Sequence, residues 1–215
     1  NTSVDNLAKI CNKNHIQLIH FSTDFVFDGM KNSPYNENDI PNPINYYGLT
    51  KLNGEKHLQI AFDCSGVKNW IIRTGWLYDN EGSNFLNTMR RLGSKLEASL
   101  KVVVDQVGTP TWTGSLAVAI RQLMLSDLDS GVYHYSDMGV VSWHGFAEEI
   151  FKICGLNPKL TSITTSEYPT DAVRPQNSHL GGSEFAELLG LDRIHWKEAL
   201  RLCIEEERLW HEVQN

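Results

Sequence analysis

The chain has 215 residues, 41% hydrophobic, 21% charged and 10% aromatic, which excludes intrinsic disorder and suits one large domain or a core with a smaller lobe. No apolar run approaches the roughly 20 residues that a bilayer-spanning helix needs, so a membrane span is excluded. The net charge of −7 argues against wrapping a nucleic-acid backbone and suits an enzyme that handles small anions in a local pocket.

The chain opens at Asn1 with no initiator Met and no signal-peptide pattern, and its first residues read as a helix inside a longer protein. Val4, Leu7, Ala8 and Cys11 stand at helical spacing and predict a helix over 3–14 with Ser3 as N-cap. Ile16 to Phe21 is a mostly apolar run of strand length, followed by Ser22-Thr23-Asp24. From Asp28-Gly29 to Asn45 the chain is rich in Asn, Pro, Asp and Gly, which predicts a long loop. Tyr47 to Ala61 reads as a helix with Leu52, Leu58 and Ile60 inward and Glu55 and Lys56 outward. Trp70-Ile71-Ile72 predicts a second buried strand running into Arg73-Thr74-Gly75-Trp76.

The second half keeps the same rhythm. Phe85, Leu86, Met89, Leu92 and Leu96 mark a helix, Val102 to Val104 a strand, and Asp105 to Thr113 a loop containing Pro110. Leu116, Ile120, Leu123 and Met124 mark the next helix, and Val132 to Tyr135 the next strand. Helices then follow near 143–154, 183–189 and 196–211. Strands alternating with helices of this length predict an α/β fold with a parallel sheet, and the helix-rich tail predicts an attached lobe.

Cys11, Cys64, Cys154 and Cys203 are scattered, with no C-x-x-C pair and no His at zinc-ligand spacing. They read as reduced thiols of a cytoplasmic protein, with no metal site. No G-x-G-x-x-G, G-x-x-x-x-G-K-[ST], H-E-x-x-H or G-x-S-x-G occurs, and Gly181-Gly182 reads as a turn before a helix.

The positive signal is Tyr47-Gly48-Leu49-Thr50-Lys51. Residues four apart share a helix face, so Tyr47 and Lys51 point the same way. A free Tyr has a pKa near ~10, too high for efficient proton transfer at neutral pH, and a neighbouring ammonium favours the phenolate. With 7 Tyr in the chain the spacing alone is weak, and a surface Tyr beside a solvated Lys is the plain alternative. Position strengthens it. In parallel α/β sheets ligands bind beyond the carboxyl ends of the strands, where Thr23 also sits, either as a hydrogen-bond donor to a substrate carbonyl or as a turn cap.

Longer strings carry a resemblance. Ser22-Thr23-Asp24-Phe25-Val26-Phe27-Asp28-Gly29, Pro43-Ile44-Asn45-Tyr46-Tyr47-Gly48-Leu49-Thr50-Lys51 and Leu52-Asn53-Gly54-Glu55 resemble the dTDP-4-dehydrorhamnose reductases, within the extended short-chain dehydrogenase/reductases. So do Arg73-Thr74-Gly75-Trp76-Leu77-Tyr78, Asp105-Gln106-Val107-Gly108-Thr109-Pro110-Thr111 and Arg174-Pro175-Gln176-Asn177-Ser178.

The resemblance implies a Rossmann-like doubly wound sheet, here its C-terminal part, with a smaller α/β substrate-binding lobe. The implied division is 1–75 for the sheet with the catalytic residues and 76–215 mainly for the lobe, with about 113–136 returning to the sheet. It implies a catalytic set of Thr23, Tyr47 and Lys51, in which Tyr donates a proton to the C4 keto oxygen of a dTDP-sugar while NADPH or NADH delivers a hydride. Phe21, Tyr47 and Lys51 would face the cofactor, and Thr23, Asp24, Phe25 and Trp76 the nucleotide sugar. Arg174 would meet the diphosphate, since a guanidinium suits phosphate oxygens, although an ion pair is an equal alternative. Mg2+ and a homodimer are further candidates.

Two departures stand out. Phe25 takes the place of a family Tyr and loses its hydroxyl. The family also begins with a strand, Gly-rich turn and helix that hold the dinucleotide, and the motif order puts Asn1 roughly 80 residues into such a protein. The expectation is a chain that is not the functional unit by itself, with an apolar strand edge left open. Alternatives are a non-catalytic regulatory subunit of this fold, like the β subunit of methionine adenosyltransferase, or another nucleotide-sugar epimerase or dehydratase.

Overall fold

The computed structural model describes residues 2–63, 65–95, 97 and 99–214, apart from the side chains of Thr2 and of 207–214. The first half runs α1 (Thr2–Lys13), β1 (Leu18–Thr23), a 3-10 turn (Asp24–Val26), α2 (Tyr46–Phe62), β2 (Asn69–Thr74), β3 (Leu77–Tyr78) and α3 (Phe85–Gly93). Then come β4 (Ser99–Val103), β5 (Val107–Gly108), β6 (Thr111–Trp112), α4 (Thr113–Leu125), β7 (Gly131–His134) and β8 (Val141–Ser142). The rest is α5 (Trp143–Cys154), β9 (Lys159–Ile163), a 3-10 turn (Thr165–Glu167), α6 (Ser183–Leu188) and α7 (Trp196–Gln214).

The α/β class with parallel strands is the predicted one. β1, β2 and β7 form a parallel sheet in the order β1-β2-β7, with Thr23 opposite Thr74 and Arg73 opposite His134. Side chains alternate along β2, so Ile71 joins Ala8, Cys11, Leu58 and Phe62 of α1 and α2 on one face. Trp70 and Ile72 join Leu116, Leu123 and Phe185 of α4 and α6 on the other. A second packing centre gathers Tyr78, Leu86, Phe146, Ile150, Trp196 and Leu200 beside the β4–β9 pair. Among the described residues β1 pairs with a strand on one edge only.

Several local expectations need correction. α1 starts at Thr2, so Ser3 lies inside the helix and is not its N-cap. β1 covers 18–23 rather than 16–21, because the exit from α1 consumes His15 in a left-handed conformation (φ 55°) and Ile16 bonds back to the Cys11 carbonyl. Ser22 and Thr23 are thereby strand residues. In the second half, β4 starts three residues before the predicted 102–104 and ends one before it, and β7 sits one residue before the predicted 132–135. On α2, Ile60 is 74% exposed and Glu55 only 1%, the reverse of the predicted faces. Ile60 is about 200° round the helix from Leu58, whereas Glu55 is brought inward by a buried partner. The 105–113 loop contains the short strands β5 and β6, and the 28–45 loop makes a bridge from Tyr35 to Leu180. Cys64 and Leu96 lie outside the described residues. Cys11 is a buried free thiol, and Gly182 precedes α6 with φ 62°.

Beneath the sheet ends lies a buried polar network. Arg73 donates from Nε and Nη2 to the two Glu55 oxygens at 3.0 and 2.7 Å. His134 sets Nδ1 against the Tyr35 carbonyl at 3.1 Å and Nε2 against Arg73 Nη1 at 3.4 Å. A carbonyl only accepts, so the proton sits on Nδ1 and Nε2 accepts from the guanidinium. Burial, with the Arg73 charge beside it, pushes His134 from 6.5 down to about 3. A depressed histidine contributes stability that is complete above 6.5 and lost as pH falls towards the folded value. His134→Asn, which keeps a donor for Tyr35, should therefore lose less stability than the parent between pH ~7 and ~5 in urea titrations. Equal losses would show that His134 does not contribute to the acid sensitivity.

Candidate active site

β1 and β2 end side by side at Thr23 and Thr74, and α2 begins where the long loop returns to that end of the sheet. Asn45 caps the helix by accepting from the Gly48 N–H at 2.8 Å, which places Tyr47 in the first turn. Tyr47 is 54% exposed, and the edge of its ring meets Phe25 with centroids 5.9 Å apart. One turn on, Lys51 donates from Nζ to the Phe21 carbonyl at 2.6 Å. Burial holds the Lys51 ammonium below the ordinary lysine value, and the Glu55 carboxylate works against that fall.

Thr23 is buried, and its hydroxyl accepts and donates locally, the turn cap being the one of its two candidate roles seen here. Its hydroxyl accepts from the Phe25 N–H at 3.3 Å, capping the 3-10 turn, and donates to Asp24 Oδ1 at 3.0 Å. The Asp24 carboxyl is packed against Gly75, where a β-carbon would overlap it. Its Oδ2 is buried with no partner at hydrogen-bonding geometry. Burial pushes Asp24 up to about 6, against the pull of the Ser178 and Thr23 hydroxyls.

Trp76 follows Gly75 in a left-handed backbone conformation (φ 52°), uncommon for a bulky residue. Two contacts hold it there. Nε1 donates to Ser178 Oγ at 2.9 Å, and the indole lies flat on Trp143 with centroids 3.5 Å apart. Trp143 in turn lines a cavity of about 260 Å³ with Phe85, Lys101, Gln106, Tyr168 and Arg174. The stacked indoles thus join the strand ends to a cavity with two cations on its wall, a setting suited to an anion. Asn45 ties the two regions again, donating to the Val173 carbonyl at 2.9 Å next to Arg174.

The structure therefore gathers Phe21, Thr23, Asp24, Phe25, Tyr47 and Lys51 at one sheet end with Trp76 close by, and sets Arg174 apart in the cavity. Reading by sequence missed Trp143, Lys101 and Tyr168. Gln106 stood inside a recognised string without being assigned to a site. Among the described residues no three His, Cys, Asp or Glu side chains converge as metal ligands.

The family described as the RmlD substrate binding domain matches residues 1–209. The dTDP-4-dehydrorhamnose reductase of Burkholderia thailandensis is 40% identical over 206 residues, covering 88% of this chain and 67% of that protein. The dTDP-4-keto-6-deoxy-D-glucose reductase of Streptomyces niveus is 38% identical, covering 90% of this chain and 66% of that protein. Among solved structures, the Bacillus anthracis dTDP-4-dehydrorhamnose reductase in complex with NADP superposes with a TM-score of 0.88 at 35% identity. That match covers 94% of this chain and 70% of the other. The chain spans about two thirds of the length of these relatives.

Proposed function

The chain belongs to the RmlD substrate-binding-domain family, and on that premise we propose that it carries the catalytic pair and substrate lobe of an NADPH-dependent oxidoreductase. The reaction is reduction of the C4 keto group of dTDP-4-dehydro-6-deoxy-L-mannose to dTDP-L-rhamnose. The observation that carries this reading is the placement of Tyr47 and Lys51 on one face of α2, with a cation-lined cavity one indole stack away.

The residues present fit the nicotinamide-ribose end of the cofactor. The exposed Tyr47 hydroxyl and the Lys51 ammonium are donors at the carboxyl end of a parallel sheet, and exposed Phe21 adjoins them. The diphosphate end has no such fit, because the chain contains no G-x-G-x-x-G turn. NADPH, when bound there, supplies the hydride that forms the new C4–H bond.

Tyr47 donates its phenolic proton to the keto oxygen as the carbonyl π bond opens, and solvent at the exposed ring returns a proton. Lys51, one turn further along α2, presents its ammonium on the same helix face. The Thr23 hydroxyl has one proton, given to Asp24 in this structure, so polarising the keto oxygen requires it to rotate off Asp24. Asp24 and Trp76 border the sugar, and Arg174 meets the diphosphate with Lys101 opposite. The division into a sheet unit at 1–75 and a lobe at 76–215, with 113–136 returning to the sheet, is part of this reading. It is supported by α4 packing on β2. A cytoplasmic location is also part of this reading; no described helix is long and apolar enough to cross a membrane. Mg2+ forms no part of this reading.

The protein carrying this chain should consume NADPH with the L-sugar and yield a product of rhamno configuration by NMR. Faster turnover of dTDP-4-dehydro-6-deoxy-D-glucose, or a product epimeric at C4, would overturn the substrate assignment. Arg174→Ala should raise KM for the nucleotide sugar about tenfold, the loss of one charge-assisted contact, with kcat nearly unchanged. An unchanged KM would remove Arg174 from the site.

A further inference from the structure

Glu55 continues the spacing of the catalytic face, one turn beyond Lys51 and two beyond Tyr47. It is among the most buried charged groups, and both oxygens are taken by the fork of Arg73 at 3.0 and 2.7 Å. The Ser22 hydroxyl also donates to Oε1. Ser22 and Arg73 face each other across β1 and β2, and Ser22 directly follows Phe21, whose carbonyl receives the Lys51 ammonium. One carboxylate therefore grips both strands at the level where the catalytic lysine is seated.

A buried ion pair is a poor way to gain stability, because desolvation offsets its attraction and apolar residues of similar volume often serve as well. What the pair provides that packing does not is direction. A bidentate fork is satisfied in only a narrow range of helix rotation, whereas apolar contacts tolerate sliding. We propose that Glu55 is a positioning residue for the Tyr47–Lys51 pair. It clamps the catalytic face of α2 to the ends of β1 and β2, and it lends a carboxylate charge to the Lys51 ammonium. The inference rests on the proposed catalytic role of Tyr47 and Lys51.

The charged and titratable groups around this clamp come from several elements. β1 contributes His20, whose Nε2 is buried and partnerless, and β2 contributes Arg73. β7 contributes His134 against Arg73, and the long loop contributes Glu37, which accepts from the His134 N–H at 2.8 Å. Asp5 of α1 faces His57, two residues beyond Glu55 on α2. Removing the Glu55 charge takes away the carboxylate that works against the effect of burial on Lys51, so the ammonium is disfavoured.

The test reads Lys51 directly. In the protein without cofactor, the pH dependence of Lys51 acetylation by acetic anhydride is followed by peptide mass spectrometry. In Glu55→Gln the Lys51 titration should move down by about one pH unit, and the alkaline limb of kcat should move the same way. Glu55→Met/Arg73→Met removes both charges and should fold, yet lose at least tenfold in kcat with KM changed less than threefold. The double variant decides the matter if Glu55→Gln does not fold. An unmoved Lys51 titration in a folded Glu55→Gln protein, or parental kcat in the double variant, would overturn the proposal. Acetylation needs no turnover, so absence of reductase activity in the parent would count against the proposed reaction and leave the clamp testable.

Discussion

Replacing Tyr47 by Phe should lower kcat for the keto sugar by about a thousandfold, within the range that a positioned general acid contributes. The substitution removes one oxygen and little else. The ring remains in the first turn of α2 with its edge on Phe25, and more than half of the residue is exposed, so neither fold nor packing depends on the hydroxyl. The Asn45 cap uses the backbone of Gly48 and is untouched. Stability to urea should therefore match the parent, and KM for the nucleotide sugar should change little, because diphosphate binding is assigned to the Arg174 cavity. A thousandfold fall is about 4 kcal/mol of transition-state stabilisation. If kcat instead stayed within threefold of the parent, the proton donor would have to be another group. Thr23 would be the next candidate, although its proton is engaged by Asp24.

Gly48→Ala should damage both stability and rate, although the site is helical and alanine is the better helix former. Gly48 lies where α2 meets the 3-10 turn, and a β-carbon there would overlap the Phe25 carbonyl oxygen and come within 2.9 Å of the carbonyl carbon. The obstruction is backbone, which cannot rotate away as a side chain can. Relief requires α2 to lift from the turn, moving Tyr47 relative to Thr23 and weakening the Asn45 cap. Overpacking of this kind costs about 3 kcal/mol, and a displacement near 1 Å costs about a hundredfold in rate. Urea unfolding and steady-state kinetics would measure the two losses separately. A stabilised, fully active Gly48→Ala protein would mean that the helix-to-turn contact is looser than described.

Much of this arrangement was legible in the residues. The helix over 143–154 was placed correctly because its apolar spacing is regular, with Ser142 as N-cap and Gly155 ending it in the left-handed conformation. The shared helix face of Tyr47 and Lys51 follows from their four-residue spacing, and the preceding strand locates the sheet end. Glu55 was misread for a physical reason. A charged residue on a helix is ordinarily solvated, and only a partner such as Arg73, 18 residues away on β2, makes its burial sensible. Trp143 carried no local signal at all, since its role depends on stacking against Trp76 from a different part of the chain. The strand start slipped by two residues because periodicity does not reveal the left-handed turn at His15.

The central claim is that Tyr47 and Lys51 serve hydride addition to a sugar keto carbon. Its most direct test supplies NADPH deuterated at the nicotinamide C4 to the protein carrying this chain, together with dTDP-4-dehydro-6-deoxy-L-mannose. The product should be dTDP-L-rhamnose with deuterium at sugar C4, and Tyr47→Phe should form it about a thousandfold more slowly. Product with no deuterium at C4, or labelled product formed as fast by Tyr47→Phe as by the parent, would contradict the account.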